Sequence, residues 1–448
     1  MRHFAWWQTL LLLTLSLLSL ASCHDDDIIT PHPQPQPQPA DSVGRRTVLV
    51  YMAAQNTLGG GHWHQSDSIE LMRGRQYLAD DDRLLLFVDD NRAPRLYRIA
   101  SQWSEPQLIK QWGQDICSTS PRRFAEVVQM AHDSFPAREF ALSMWSHADG
   151  WLPPTNTNYA DFESQPSSGI RPQSFGIDSG PNGKMSDNGA QMSVEDMAHV
   201  LDSLQVHCRY IFFDCCLMQN LEVDYALRHV CDYVIASPMS IHSAGAYYEH
   251  MLRDGLFATD PSVMAQTYYR DVADSALQAQ VYGNTGIAIS CVRTDQLQPL
   301  ADALRAALQG TSVEQLKKTD MTGVLAYQAY NRRFSYRPHN YDALQALERI
   351  VPAERLASVR GKLDAAVVSH YSTPSIYLGP GVRDFAKVPI TTDHFRAVSM
   401  FVPQEIYSDN ASFCPYGDLN AAFLQTEWGR TVMGLEAEPY EGRDGSHE

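Results

Sequence analysis

The strongest constraint on this chain is a recurring pattern of short, continuous apolar runs separated by stretches of helical spacing. Thr47-Val48-Leu49-Val50-Tyr51-Met52, Arg83-Leu84-Leu85-Leu86-Phe87-Val88, Glu139-Phe140-Ala141-Leu142-Ser143-Met144-Trp145 and Tyr210-Ile211-Phe212-Phe213 are the clearest. Runs of this length without polar alternation fit strands buried on both faces, as in a parallel sheet covered by helices. Leu96-Tyr97-Arg98-Ile99 reads as a hairpin partner of the second run. Tyr233-Val234-Ile235-Ala236, Gly286-Ile287-Ala288-Ile289-Ser290 and Ala397-Val398-Ser399-Met400-Phe401-Val402 read as further strands. The spacing predicts helices near 67–77, 124–132 and 295–308, and one capped by Ser193 with Asp196 three residues on. Residues 152–190 carry Asn182-Gly183 and Asn188-Gly189 among many Pro, Ser and Asp residues, so they are expected to be a long loop or hairpin excursion. Strands alternating with helices give an α/β fold with a mostly parallel sheet.

Charge narrows the partners. Asp and Glu total 52 against 35 Lys and Arg, a net charge of −17, which excludes a general affinity for nucleic acid. Eight cysteines in 448 residues are too sparse for a disulfide scaffold.

The first residues read as an export signal. Arg2 supplies the positive charge, 10–20 the apolar core, and Leu20-Ala21-Ser22-Cys23 the end. That core is too short for a membrane span of about 20 residues. Small residues before Cys23 resemble a bacterial lipobox, implying cleavage after residue 22 and lipidation of Cys23. The expected organisation is a signal over 1–22, a lipidated tether over 23–45, an α/β domain over 46–310 and a C-terminal extension over 311–448 that packs on it. His24-Asp25-Asp26-Asp27 resembles a surface-export signal and equally suits a solvated tether. The alternating prolines from Pro31 to Pro39 favour polyproline II, a spacer from a membrane. Seven cysteines remain beyond Cys23, so at least one thiol stays unpaired.

In sheets of this type, chemistry sits just past the carboxyl ends of the strands. His147 follows the third apolar run; Asp214 and Cys216 follow the fourth. A thiolate is a strong nucleophile when a base or a lowered pKa supports it, and a histidine can serve as that base. Cys216 is expected to open a helix, whose N-terminal donors would favour a thiolate and an oxyanion.

These residues resemble the clostripain family of cysteine peptidases. Val48-Leu49-Val50-Tyr51-Met52-Ala53-Ala54-Gln55-Asn56 is similar to the family's opening strand. Trp145-Ser146-His147-Ala148-Asp149-Gly150-Trp151 is similar to its histidine motif and Asp214-Cys215-Cys216-Leu217-Met218 to its cysteine motif. Ser399-Met400-Phe401-Val402-Pro403 resembles a later strand of the family. The resemblance implies a caspase-like three-layer α/β/α sandwich and hydrolysis of peptides or proteins after Arg or Lys. It makes Cys216 the nucleophile, His147 its base and Cys215 inert. It places Asp214 in the pocket for the basic side chain and the backbone N–H groups of Ala148 and Cys216 in the oxyanion hole. It also implies self-cleavage between the two motifs, for which Lys184 is the expected site and Arg171 the other basic residue. Two departures stand out: Ala148 replaces a glycine, and Ser237-Pro238 stands where many members carry an acid.

No cofactor is expected, and calcium is the one metal the resemblance leaves open. His62-Trp63-His64 is read as a surface loop rather than a metal site, since a third ligand is lacking. Asp80-Asp81-Asp82 and Asp89-Asp90-Asn91 lack EF-hand spacing and are read as solvated turns. The tyrosines from Tyr327 to Tyr341 are read as packing. Two other functions fit the residues: a cell-surface binding lipoprotein that does not cleave, and a cysteine-dependent transferase or ligase. The expected location is outside the cytoplasm, on a lipid anchor at the outer membrane.

Overall fold

The apolar runs become neighbouring strands. In the computed structural model, β1 (Gly44–Ala53) lies between β2 (Asp82–Asp89) and β5 (Ala137–Trp145), parallel to both. The parallel core continues through β9 (Cys208–Asp214) and β10 (Tyr233–Ala236). Antiparallel strands extend both edges: β3 (Arg95–Ile99) and β4 (Gln107–Gln111) beyond β2, β11 (Ala288–Arg293) and β14 (Val367–Ser372) beyond β10. The result is a nine-stranded sheet. The structure describes residues 43–153, 174–180, 185–283, 285–330, 337–377, 387–390, 394–408 and 418–435. The export signal, Cys23, the tether, Arg171 and Lys184 lie outside the described residues.

Side chains alternate across a strand, so each strand feeds two layers. Val48, Val50 and Met52 of β1 pack with Leu84, Leu86, Tyr210 and Phe212 under the helices α2 (Trp63–Gly74), α6 (Tyr248–Asp254) and α7 (Val263–Ala273). Leu49, Tyr51 and Ala53 pack on the other face with Leu142, Met144, Ile211 and Phe213. That face is covered by α3 (Pro121–Ser134), α4 (Val194–Ser203), α5 (Leu221–Ala226), α8 (Leu297–Ala307), α9 (Ala343–Ile350) and α10 (Ala353–Ala366). This is a three-layer α/β/α sandwich, as expected.

Small sheets surround it. β6 (Ala148–Gly150), β7 (Ser174–Asp178) and β8 (Ala190–Ser193) form one, from the described part of the 152–190 stretch and its border. β12 (Ala326–Tyr330), β13 (Arg337–Asp342) and β17 (Ser399–Met400) form another, and β15 (Ser375–Tyr377) pairs with β16 (Lys387–Pro389). Sequence beyond 310 therefore supplies both the edge strand β14 and core residues such as Phe401 and Trp428.

Three expectations are corrected. The run 397–402 yields only the two-residue β17, paired with β13 outside the main sheet. His62 adopts a left-handed backbone, φ 64°, which separates the short helix α1 (Thr57–Gly60) from α2. His64, one turn into α2, is buried and not on a surface loop. Asp89 and Asp90 are also buried rather than solvated; Asp90 pairs with Arg92 at 2.7 Å, Arg95 at 2.9 Å and His64 at 3.2 Å. Asp82 is likewise buried, bonding the Ala79 N–H at 3.0 Å and Arg45.

Leu142 is fully buried in the middle of the sheet, whereas Leu108 on the edge strand β4 is 48% exposed. Leu142→Ala is expected to cost about 2–5 kcal/mol, and Leu108→Ala no more than about 0.5 kcal/mol. Urea unfolding of both variants checks the layer assignment.

Candidate active site

The carboxyl ends of β1, β5 and β9 converge. β1 is where the chain order reverses, running outward to β2 and then back to β5, and such switch points open a crevice at the strand ends. Within β5 and β9, Trp145 lies opposite Asp214. His147 is two residues past Trp145 and Cys216 is two residues past Asp214, so both emerge at the same level from adjacent parallel strands. The loops that carry them touch. The Cys215 thiol donates to the Met144 carbonyl at 3.1 Å, and a Cβ on Gly150 would stand 2.3 Å from the Leu217 carbonyl oxygen. Gly150 has φ +66°, so it meets both conditions that require glycine: a left-handed backbone and no room for a side chain. Leu217, directly after Cys216, is itself left-handed at φ 65°.

The sharp turn at Leu217 changes one expectation. Cys216 does not open a helix: α5 begins at Leu221, with Asn220 as its cap through the Val223 N–H. The helix donors expected to favour a thiolate are therefore spent elsewhere. Cys216 is partly exposed, and its sulfur accepts from the Ile241 N–H at 3.4 Å. Burial pushes its thiol up to about 11, reinforced by Asp149 and Asp214 and opposed by the Ile241 N–H and Ser240. These surroundings favour the neutral thiol of Cys216. Cys215 is 1% exposed and faces the core, and burial raises its thiol well above the usual range.

His147 is held from β1. Asn56 is fully buried; its amide donates to the Ala53 carbonyl at 2.9 Å, Ser146 Oγ at 3.1 Å and the Ile177 carbonyl at 3.0 Å. Its Oδ1 accepts from the Leu58 and Gly59 N–H groups and so caps α1. This network ties β1, the histidine loop and β7 together and fixes Thr57, whose Oγ1 is 3.0 Å from His147 Nε2. Asp187 Oδ1 is 3.3 Å from the same nitrogen. His147 and Cys216 are not hydrogen-bonded to each other; each has the partners just named.

Asp214 ends β9 and is buried. It accepts the Ala246 N–H at 3.0 and 3.1 Å and the Tyr268 hydroxyl at 3.3 Å. Burial pushes it up to about 6, against the pull of Ala246, Tyr248 and Tyr268. Gly245, at φ +59°, closes over the carboxylate; a Cβ there would lie 2.5 Å from Oδ2. Ala148 is drawn into β6, paired with Phe175 of β7. Ser237 is buried and bonded to Met239. Among the described residues no group of three or more His, Cys, Asp or Glu side chains is placed to hold a metal ion.

Thr57 and Asp187 are new to the site. Thr57 carried a usable signal, since it follows the first apolar run as His147 follows the third. Asp187 lies in a turn-rich stretch with no periodicity, and only the folded chain brings it to the histidine.

Comparison with known proteins follows the same lines. A model of the clostripain family matches residues 50–428. A secreted C11 cysteine protease from Bacteroides thetaiotaomicron, solved with an irreversible peptide inhibitor, is 26% identical with a TM-score of 0.68. An inactive zymogen C11 protease from Parabacteroides distasonis is 22% identical with a TM-score of 0.69. The secreted C11 protease "iotapain" of Bacteroides thetaiotaomicron is 17% identical with a TM-score of 0.64. Each alignment covers 87% of this chain and 99% of the other. No curated protein matches.

Gly150 gives the contact between the two loops a direct test. Gly150→Ala is expected to lower the melting temperature and to cut peptide hydrolysis by about 100-fold, the scale of a 1 Å displacement of reacting groups. Gly361→Ala, in the interior of α10 where a Cβ meets nothing within 4 Å, is the control. It should leave activity intact and stabilise by about 0.5–1 kcal/mol.

Proposed function

Because the chain belongs to the clostripain family and is a cysteine protease, we propose that Cys216 is its nucleophile and His147 its general base. The observation that supports this most is the β5–β9 register, which brings the two residues out at one level of adjacent strands beside the switch point. With the thiol raised to about 11, ionisation has to be coupled to proton uptake by His147 as the sulfur attacks the scissile carbonyl. The C–S bond forms, the oxyanion is met by backbone N–H groups of Cys216 and Ala148, and His147 passes its proton to the leaving amine. Water then hydrolyses the thioester. The inhibitor on the Bacteroides thetaiotaomicron protease is a peptide, and a peptide or protein is the proposed substrate here.

Asp214 is the proposed selector of a basic P1 residue. A buried carboxylate is a sound partner for a guanidinium, and this one lies beneath Gly245 and Ala246 at the crevice. Self-cleavage at Lys184, lipidation at Cys23 and an extracytoplasmic location on that anchor belong to the same reading, and the secreted relatives are compatible with the location.

Two experiments test it. An arginyl acyloxymethyl ketone should add once to the wild-type protein and to Cys215→Ala, and not to Cys216→Ala, as read by intact mass. An adduct that persists in Cys216→Ala contradicts the assignment. In the second, hydrolysis is compared for Arg and norleucine at P1. Asp214 is ionised above about 6, so the Arg preference should grow as pH rises through that value. Asp214→Asn should flatten this rise and remove about 1.5–3 kcal/mol of discrimination. A preference independent of pH and of Asp214 would leave the pocket acid unassigned.

A further inference from the structure

The surroundings of His147 contain one more charged group, and the donors around it are few enough to count. Asp187 is a carboxylate and can only accept. It takes the Thr57 N–H at 3.1 Å and the Thr57 hydroxyl at 2.8 Å from both oxygens. Hydrogen bonds from His147 and Thr57 hold it down to about 2 against the raising effect of its partial burial, so it is ionised throughout the neutral range. The Thr57 hydroxyl has a single proton, which points to Asp187; toward His147 it can offer only a lone pair. His147 Nε2 therefore faces two acceptors, Thr57 Oγ1 at 3.0 Å and Asp187 Oδ1 at 3.3 Å. A ring nitrogen between two acceptors carries the hydrogen. The other nitrogen, Nδ1, is then the basic one.

We infer that Asp187, with Thr57 as its relay, is the positioning carboxylate of the catalytic histidine, fixing the tautomer in which Nδ1 takes the Cys216 proton. This rests on the His147–Cys216 reading above. When the thiol is deprotonated, its proton moves to Nδ1, and the imidazolium keeps Nε2–H on Thr57 and Asp187, where the negative charge stabilises it. When the leaving amine departs, the Nδ1 proton goes to it and the neutral tautomer returns. Asp187 itself gains no proton. The arrangement depends on a fixed Thr57, and the Asn56 network supplies that: Thr57 is the first residue of α1, capped by a fully buried asparagine bonded to the histidine loop through Ser146.

The test is steady-state hydrolysis of a peptide substrate by Asp187→Asn, Asp187→Glu and Thr57→Val, beside His147→Ala and Cys216→Ala. All are compared at equal extent of loop cleavage, checked by intact mass. Asp187→Asn is expected to lower kcat roughly 10- to 100-fold, part of the 10²–10⁴ a general base contributes, with KM within about twofold. Asp187→Glu, which keeps the charge, should recover part of kcat, and Thr57→Val should fall between wild type and Asp187→Asn. The nitrogen-15 shifts of His147 in histidine-labelled protein should show Nε2–H in wild type and a mixed tautomer in Asp187→Asn. Unchanged kcat in Asp187→Asn, a change in KM alone, or a raised kcat, which would mark the carboxylate as a restraint on the histidine, each overturns the inference. His147→Ala retaining full activity would instead sink the reading beneath it. His147→Ala inactive with Asp187→Asn fully active sinks only the role of Asp187.

Discussion

The parallel pairing of β5 with β9 is the constraint on which the site depends. It sets Trp145 against Asp214 and so fixes, two residues further on, the level at which His147 and Cys216 leave the sheet. A slip of one residue in this register would turn either strand's core residues to the wrong layer, since side chains alternate with period 2. The register is therefore held by the burial of Leu142, Met144, Ile211 and Phe213 on one face and Ala141, Trp145, Tyr210 and Phe212 on the other. Hydrophobic packing of these eight side chains thus positions two residues that make no direct hydrogen bond with each other.

Asp214 has two acidic neighbours, Asp67 and Glu70, and burial raises all three. Asp214 is pushed up to about 6 and Glu70 to about 7, in each case chiefly by burial, and burial also raises Asp67 beside them well above the usual carboxylate range. Trp145 donates its indole N–H to Asp67 at 2.7 Å, so the strand end that leads to His147 is anchored on one of these acids. Each binds its proton more tightly folded than unfolded. Their contribution to stability is present at acid pH and is lost as pH rises through about 6–7. A cationic side chain arriving at Asp214 would offset that loss, which couples occupation of the crevice to its stability. Burial, with Asp149 and Asp214 adding to it, likewise favours the neutral thiol of Cys216.

The sheet was legible because its strands are buried on both faces: Tyr233–Ala236 was read at its observed bounds, and the hairpin of β2 with β3 and the Ser193 cap were read correctly. The positions of His147 and Cys216 followed from strand ends alone, without knowledge of the loops. What stayed hidden depends on contacts between segments far apart in sequence. The left-handed turns at His62 and Leu217 have no glycine to mark them, so α2 starts elsewhere than expected and Cys216 does not open a helix. Asp89 and Asp90 looked like solvated turn residues because acids usually are; Arg92, Arg95 and His64 make burial of Asp90 tolerable. Asp187 could not be found in sequence at all, since its partner is 40 residues before it and its own stretch carries only turn signals.

The most direct test of the central claim is a crystal structure of the protein trapped with an arginyl acyloxymethyl ketone. Continuous density from Cys216 Sγ to the inhibitor is expected, with His147 Nδ1 turned toward the adduct and Nε2 still on Thr57 and Asp187. An adduct on Cys215 or another thiol, or an adduct on Cys216 with His147 beyond hydrogen-bond reach, would contradict it.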